Sequence, residues 1–232
     1  RCFVKFAEDA EPHLEGGEDQ PDWLAKLEVE HDNLRSALGW SLEESEGDEA
    51  ALRLTGALYR FWAHRGHAHE GRQWCEAALG RTAGRPGTLA RLKALHASGT
   101  LTWRLGDIIG ARSLLEQALA MSRELGDRSC EGRVLSNLGG IAIHQADDAA
   151  AQAFLEQAVV IHRATDNPAM EARVLNNVAA LALSPMLSGA LAARSFAIVF
   201  VVDSLLMAIV GTVVWRTMRP GARPRSAAPG PA

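Results

Sequence analysis

Tyrosine and cysteine are scarce in this sequence, and runs of β-branched residues are nearly absent before residue 196. One tyrosine and three cysteines occur among its 232 residues. Alanine, leucine, glutamate and arginine dominate instead, and this composition favours helix at most positions. The sequence therefore predicts an all-α protein.

The cysteines also lack the spacing of a structural site. Cys2, Cys75 and Cys130 are far apart and odd in number, and no Cys-x-x-Cys pair occurs. This excludes a cysteine-based zinc site or a disulfide framework, and we expect reduced thiols in a cytoplasmic protein. Cys75 lies on an apolar helix face, where a small buried side chain fits.

Motifs of catalysis and nucleotide binding are missing as well. The chain has no Gly-x-x-x-x-Gly-Lys loop for phosphate, no nucleophile elbow and no paired catalytic carboxylates. His64, His67 and His69, beside Glu70, could in principle bind a metal, but they lie at a turn where a shared face is not assured. We therefore expect no enzyme activity, no cofactor and no metal site.

Basic residues are outnumbered in most of the chain. Residues 1–193 hold 19 lysines and arginines against 27 acids, whereas residues 194–232 hold five arginines and one aspartate. Nucleic-acid affinity depends largely on clustered basic side chains. We therefore expect no nucleic-acid partner for this segment.

A 40-residue repeat is the dominant feature of the sequence. Arg133 and Arg173 follow Lys93 at this interval, and Arg53 precedes it. The corresponding segments, aligned without a gap, are Gly71–Leu79, Ala111–Leu119 and Ala151–Val159, each preceded by a turn segment at His64–His67, Arg104–Asp107 and His144–Asp147. Such a fixed interval predicts stacked copies of one structural unit.

Each unit has the pattern of two helices joined by a tight turn. Helix A is predicted near 50–64, 90–104, 130–145 and 170–183, and helix B near 68–80, 108–124 and 148–164. A glycine or alanine ends helix A, an aspartate caps helix B, and small residues mark close helix crossings. These structural positions are Gly66, Gly106, Asp107, Ala111, Ala118, Gly139, Asp147, Ala151 and Ala158.

Stacked helix pairs of this kind form an antiparallel α-solenoid, because one unit cannot bury its own apolar face. The alternative is an ordinary helical bundle, which would need no fixed register. A solenoid surface binds protein partners, whose identity the sequence does not give.

The repeats resemble tetratricopeptide repeats of the longer, 40-residue kind. In addition, Trp23–Leu24 with Glu30–Trp40, and Phe61–Trp62 with Arg65–His67 and Glu70–Arg72, resemble segments of the C-terminal arm of bacterial signal-transduction ATPases and transcriptional regulators. The resemblance covers about residues 1–183. It implies a cytoplasmic arm that senses a signal or binds a partner, and a structural role for the Arg65–His67 turn.

In that family the ATPase precedes the arm, and this chain has neither a phosphate-binding loop nor a separate pair of DNA-reading helices. The resemblance therefore implies a piece of a longer protein. Residues 50–183 hold the repeats, and residues 1–49 are interpreted as an acidic helical cap or a joint to an upstream domain. Only Lys26 and Arg35 oppose fifteen acids between Glu8 and Glu49. Those acids form either a solvated face or an acidic docking surface.

The C-terminal part departs from the repeat. Ser184 and Pro185 should interrupt it, leaving a linker or short helix at 184–195. Residues 196–215 then form an apolar run, broken by Asp203, Ser204 and Thr212, which as a helix has the length of a hydrocarbon core. We expect a transmembrane helix or a helix buried beneath the solenoid end, followed by a basic disordered tail at 216–232.

A membrane span suggests an alternative function, a membrane-anchored repeat protein that recruits partners to a membrane complex. Four arginines follow the apolar run, so the positive-inside rule places the tail in the cytoplasm and the repeats outside. This conflicts with a cytoplasmic arm. The sequence leaves open a tail anchor that breaks the rule, further spans, or a fused or artefactual C-terminal piece.

Overall fold

The structure, a computed structural model, describes residues 2–44, 46–192 and 204–209. Every regular element in these ranges is helical, and no strand occurs among them. This confirms the all-α class predicted from composition.

Four short helical segments form an N-terminal layer. They are α1 (Cys2–Ala10), a 3₁₀ turn (Glu11–Glu15), α2 (Gln20–Val29) and α3 (His31–Glu43). The apolar stripe of Leu24, Leu27, Leu34, Leu38 and Leu42 predicts a single helix near 21–44. That prediction is wrong, because the chain turns a corner at Glu30. Asp32 and Asn33 are weak formers of helix interiors but suit a first turn, so a new helix begins there. The amide of Asn33 donates to the Glu30 carboxylate over 2.7 Å.

The repeats follow as helix pairs. Their bounds are α4 (Asp48–Arg65) with α5 (Ala68–Arg81), α6 (Leu89–Arg104) with α7 (Ile108–Leu125), α8 (Arg128–His144) with α9 (Asp148–Ala164), and then α10 (Pro168–Ala192). Within each pair the two helices pack together, and α4, α6 and α8 also pack side by side. The predicted tetratricopeptide-like α-solenoid is confirmed in this stacking.

The turns inside the pairs share one backbone conformation. Gly66 and Gly106 end α4 and α6 with φ of 83° and 87°, in the left-handed region, and Ala146 adopts φ of 55° at the same register. Asp107 and Asp147 then cap α7 and α9 by accepting hydrogen bonds from Gly110 N–H and Ala150 N–H. These local devices fix where each helix B begins.

Small residues lie where the helices cross. Ala111, Ala118, Ala151 and Ala158 on α7 and α9 are fully buried. Gly139 of α8 faces Leu155 of α9 so closely that a side chain would collide with it. The largest core side chains, Phe61 and Trp62, join α4 to the N-terminal layer through Leu14, Leu27, Leu34 and Leu38.

The chain divides into two compact units, residues 1–174 and 175–232. In the second unit, α10 remains helical through Ser184 and Pro185, where we expected an interruption; a proline inside a helix removes one hydrogen bond and can kink the helix without ending it. Residues 204–209 are helical. The remainder of the 196–215 run and the 216–232 tail lie outside the described residues. Among the described helices, none has the length and apolar character needed to cross a membrane.

Candidate functional site

A column of basic residues runs across the helices A, one residue per repeat. Arg53, Lys93, Arg133 and Arg173 lie 40 residues apart on α4, α6, α8 and α10. Because each occupies the same register in its helix, stacking of the helices aligns positive charge along one face. Together with Arg60 and Arg104, these residues define what we call the basic groove.

The N-terminal layer places carboxylates on this column. Glu8 forms a bidentate pair with Arg53 over 2.6 and 2.7 Å, and the Lys93 ammonium lies 2.8 Å from Glu11. The Arg53 guanidinium holds the pKa of Glu8 below its ordinary value through this hydrogen bond. Glu8 and Glu11 therefore pair with basic residues of the repeats within the chain.

Glu15 makes the third contact, and it bridges two arginines. One of its oxygens lies 2.9 Å from Arg60 Nη2 and 3.2 Å from Arg133 Nη1. Both guanidinium groups are largely buried, with 12% and 16% of their side chains exposed. Within the described residues, Arg60 Nη1 and Arg133 Nε are buried without a hydrogen-bond partner. The groove thus holds N–H donors that its own carboxylates leave unused.

Those donors border a cavity of about 190 Å³ next to the Glu15 contact. Its cationic lining comes from all four helices A: Arg60 on α4, Arg104 on α6, Arg133 on α8 and Arg173 on α10. Other lining residues, Tyr59, His64, His96, Thr100 and Asn137, add aromatic and hydrogen-bonding groups. Asn137 donates to Thr100 over 2.9 Å, which fixes its amide at the cavity wall.

The lining keeps its histidines neutral. Burial lowers the pKa of His96 well below its ordinary value, and the charges of Arg133, Arg60 and Arg173 lower it further. The pKa of His64, which is only partly covered, is lowered by that partial burial and by the charges of Arg104 and Arg60. Positive charge in the cavity therefore belongs to arginine alone near neutral pH, and it favours an anionic group as its occupant.

The histidines considered from sequence do not meet as a trio. His64 lies at the cavity and His69 is exposed on α5. His67 instead lies beside Glu28 and His31, and in the described part of the chain the ligand atoms of these three side chains lie within 4.8 Å of one another. The sequence did not predict that Glu28 and His31 lie beside this turn, because the corner at Glu30 was not expected.

A larger cleft of about 810 Å³ lies between α1, α3 and α4. Phe3, Val4 and Trp40 supply its apolar wall, while Lys5 and Arg53 oppose Glu44, Glu46 and Glu49 around it. Both signs of charge are mixed there, and Arg53 already pairs with Glu8. The cleft therefore offers no single chemistry, in contrast to the basic cavity.

The repeat positions chosen from sequence serve packing and turns, and none of them lines the basic groove. The sequence did show that a basic residue recurs at Arg53, Lys93, Arg133 and Arg173. We interpreted that recurrence only as evidence of register. A positive charge repeated on helix A of every unit is the pattern that could have located the groove.

Comparisons with known proteins agree with this architecture. The family described as "Tetratricopeptide repeat" matches residues 90–164. Proteins named "Putative HTH-type transcriptional regulator" in Mycobacterium bovis and Mycobacterium tuberculosis are 36% identical over 135 residues, which is 54% of this chain. The chain spans about 15% of the length of these relatives.

Solved structures share the fold. The crystal structure of BtubC (BKLC) from P. vanneervenii has a TM-score of 0.62 at 16% identity, with 99% of this chain and 93% of that chain covered. A "putative kinesin light chain" of Podosopora anserina with TPR-like repeats has a TM-score of 0.51 at 18% identity, with 93% and 96% covered. At such identities the likeness concerns the fold alone. The repeat match thus shows a tetratricopeptide-repeat segment at residues 90–164, and the mycobacterial matches show that the chain is similar to part of putative transcriptional regulators.

Proposed function

We propose that this chain is the partner-binding arm of a bacterial regulatory protein, and that its basic groove binds an acidic segment of another protein. The observation that carries the proposal is the cavity lined by Arg60, Arg104, Arg133 and Arg173. Tetratricopeptide repeats suggest a protein-interaction scaffold, and the positive cavity gives this scaffold a preference for carboxylates.

The chain's own N-terminal layer supports this choice of ligand. Glu8, Glu11 and Glu15 are spaced by three and four residues, as on one face of a helix, and each meets a basic residue of the groove. An acidic partner segment with similar spacing would extend this pattern toward Arg104 and Arg173. There it would supply acceptors for the donors of Arg60 and Arg133 that lack partners.

A nucleic acid also carries negative charge, but the surroundings disfavour it. Glu8, Glu11 and Glu15 lie within the groove, and they would repel a phosphate backbone that followed its length. The arm would act by differential binding: a partner that occupies the groove in one state of the regulator shifts the regulator toward that state. DNA reading and nucleotide chemistry would belong to other parts of such a regulator.

The proposal is tested by fluorescence anisotropy with defined probes. The full chain is titrated into a labelled helical peptide with glutamates spaced by three and four residues, into the same peptide with lysines in their place, and into a short DNA duplex. We expect saturable binding of the acidic peptide that weakens with added salt, because the attraction is electrostatic. Equal binding of both peptides, or preference for DNA, would contradict the proposal.

A further inference from the structure

We propose that Glu28, His31 and His67 form a binding site for a divalent transition metal of the zinc type, independent of the basic groove. Two imidazoles and a carboxylate are donors that zinc takes in proteins. The three residues come from three separate places: the last turn of α2, the first residue of α3, and the turn between α4 and α5. Their ligand atoms lie within 4.8 Å of one another.

The backbone holds two of these residues in place. His67 follows the left-handed Gly66, and its N–H donates to the Trp62 carbonyl over 2.9 Å, which fixes the residue at the start of α5. His31 packs its ring edge-on against Phe61, with ring centroids 5.0 Å apart. The two imidazole rings are 4.5 Å apart. A ligand would therefore meet both rings without reorganisation of the helices.

His31 carries the observation that points to a ligand. Its side chain is 8% exposed, and within the described residues its Nε2 is buried without a hydrogen-bond partner. An imidazole nitrogen without a protein partner can offer its lone pair to a metal.

The distance between the His67 imidazole and the Glu28 carboxylate fits coordination better than hydrogen bonding. His67 Nε2 lies 3.5 Å from Glu28 Oε1, which exceeds the usual distance of an imidazole–carboxylate hydrogen bond. His31 Nε2 lies 3.3 Å from Glu70 Oε1, an oxygen that already accepts a hydrogen bond from Arg35. Tetrahedral zinc with bonds of about 2.0–2.1 Å separates its ligand atoms by about 3.3–3.4 Å.

The charged side chains around the site determine whether Glu28 or Glu70 would bind the metal. Arg35 holds both oxygens of Glu70 over 2.7 and 2.6 Å, so Glu70 is already committed beside the site. Glu28 lies 3.6 Å from Arg65, a looser contact than the one between Arg35 and Glu70, and its exposed side chain can turn toward the imidazoles. Zinc would replace that contact and join the α2–α3 corner to the α4–α5 turn.

The test uses the full chain with Cys2→Ser, so that the exposed thiol does not compete, after removal of metal with a chelator. Zn²⁺ is added in a calorimetric titration, and Co²⁺ is added as a spectroscopic probe of coordination. We expect one Zn²⁺ per chain and the visible absorption of four-coordinate Co²⁺. Glu28→Gln and His67→Gln should each weaken binding by about tenfold or more, because a ligand is removed.

His69→Gln and His64→Gln are the matched controls, because both residues are exposed histidines near the turn. They should bind Zn²⁺ as the parent chain does. Absence of stoichiometric binding in the parent chain, or equal loss in the His69→Gln control, would overturn the proposal. Circular dichroism of each variant shows that a loss of binding is not a loss of fold.

Discussion

A Cβ atom placed on Gly139 would lie 2.5 Å from Cδ2 of Leu155. The same relationship recurs one repeat earlier, where a Cβ on Gly99 would lie 2.8 Å from Cγ of Leu115. Helix A and helix B therefore cross at the same closely packed point in both units. Glycine at both positions, which are 40 residues apart, is required by this approach of a leucine.

We expect Gly139→Ala to lower the free energy of unfolding by about 1–3 kcal/mol, as overpacking of a close crossing does. Leu155 is fully buried. The urea midpoint measures the effect. Gly80→Ala is the control, since nothing lies within 4 Å of its added Cβ and the change favours the exposed helix by about 0.5–1 kcal/mol. Equal midpoints for the two variants would show that the crossing is not tight.

Ala146 adopts the left-handed conformation that glycine adopts at the equivalent turns, with φ of 55°. We expect Ala146→Gly to stabilise the chain by up to about 1 kcal/mol, because the strain on an L-residue disappears. Gly106→Ala should destabilise the preceding turn by a similar amount. Thermal unfolding of both variants checks the sign, and destabilisation by Ala146→Gly would contradict the assigned turn.

Contact between the N-terminal layer and the groove is tested by the pair Glu11 and Lys93. We expect a double-mutant cycle of Glu11→Gln and Lys93→Met to give a coupling energy of about 0.5–1 kcal/mol, since the pair is partly shielded from water. Glu18→Gln, which removes an exposed acid of the same layer, should show no coupling to Lys93→Met. Zero coupling for the first pair would mean that the layer does not dock on the groove through this contact.

The free energy of unfolding should fall as the pH is lowered from about 7 to about 5, a range above that in which most carboxylates titrate. His96 and His162 are buried, and burial is the main cause that lowers the pKa of each. In this pH range the unfolded chain therefore binds more protons than the folded chain does. The charges of Arg133, Arg60 and Arg173 also lower the pKa of His96. His96→Gln should reduce the pH dependence of the urea midpoint, measured with a chelator present, while His144→Gln at an exposed position should not. A midpoint independent of pH would contradict this assignment.

The sequence predicted the helical class, the repeat and the turns, because each depends on local chemistry. Glycine or aspartate at a turn and small residues at a crossing act within one unit, so that periodicity alone reveals them. The corner at Glu30 was missed because Leu27, Leu34 and Leu38 keep one apolar stripe whether or not the helix breaks. Packing against α4, which lies outside that segment, determines whether the segment forms one helix or two.

The basic groove escaped prediction for a different reason. The net acidity of residues 1–193 conceals a local excess of positive charge on the helices A. Arg60 and Arg133 meet at Glu15 only after the repeats stack and the N-terminal layer folds over them. Likewise, Glu28 and His31 reach His67 only through the fold, so a search among histidines that are neighbours in sequence does not bring these three residues together.

The central claim, that the groove binds an acidic protein segment, is tested most directly by reversing the charge of the exposed arginines in its cavity. Arg104→Glu and Arg173→Glu change two exposed residues of the cavity, and Arg112→Glu on α7 makes the same change away from it. We predict that the double variant loses the acidic peptide and gains the lysine peptide in anisotropy titrations, while Arg112→Glu behaves as the parent chain. Unchanged affinity of the double variant for the acidic peptide would contradict the account.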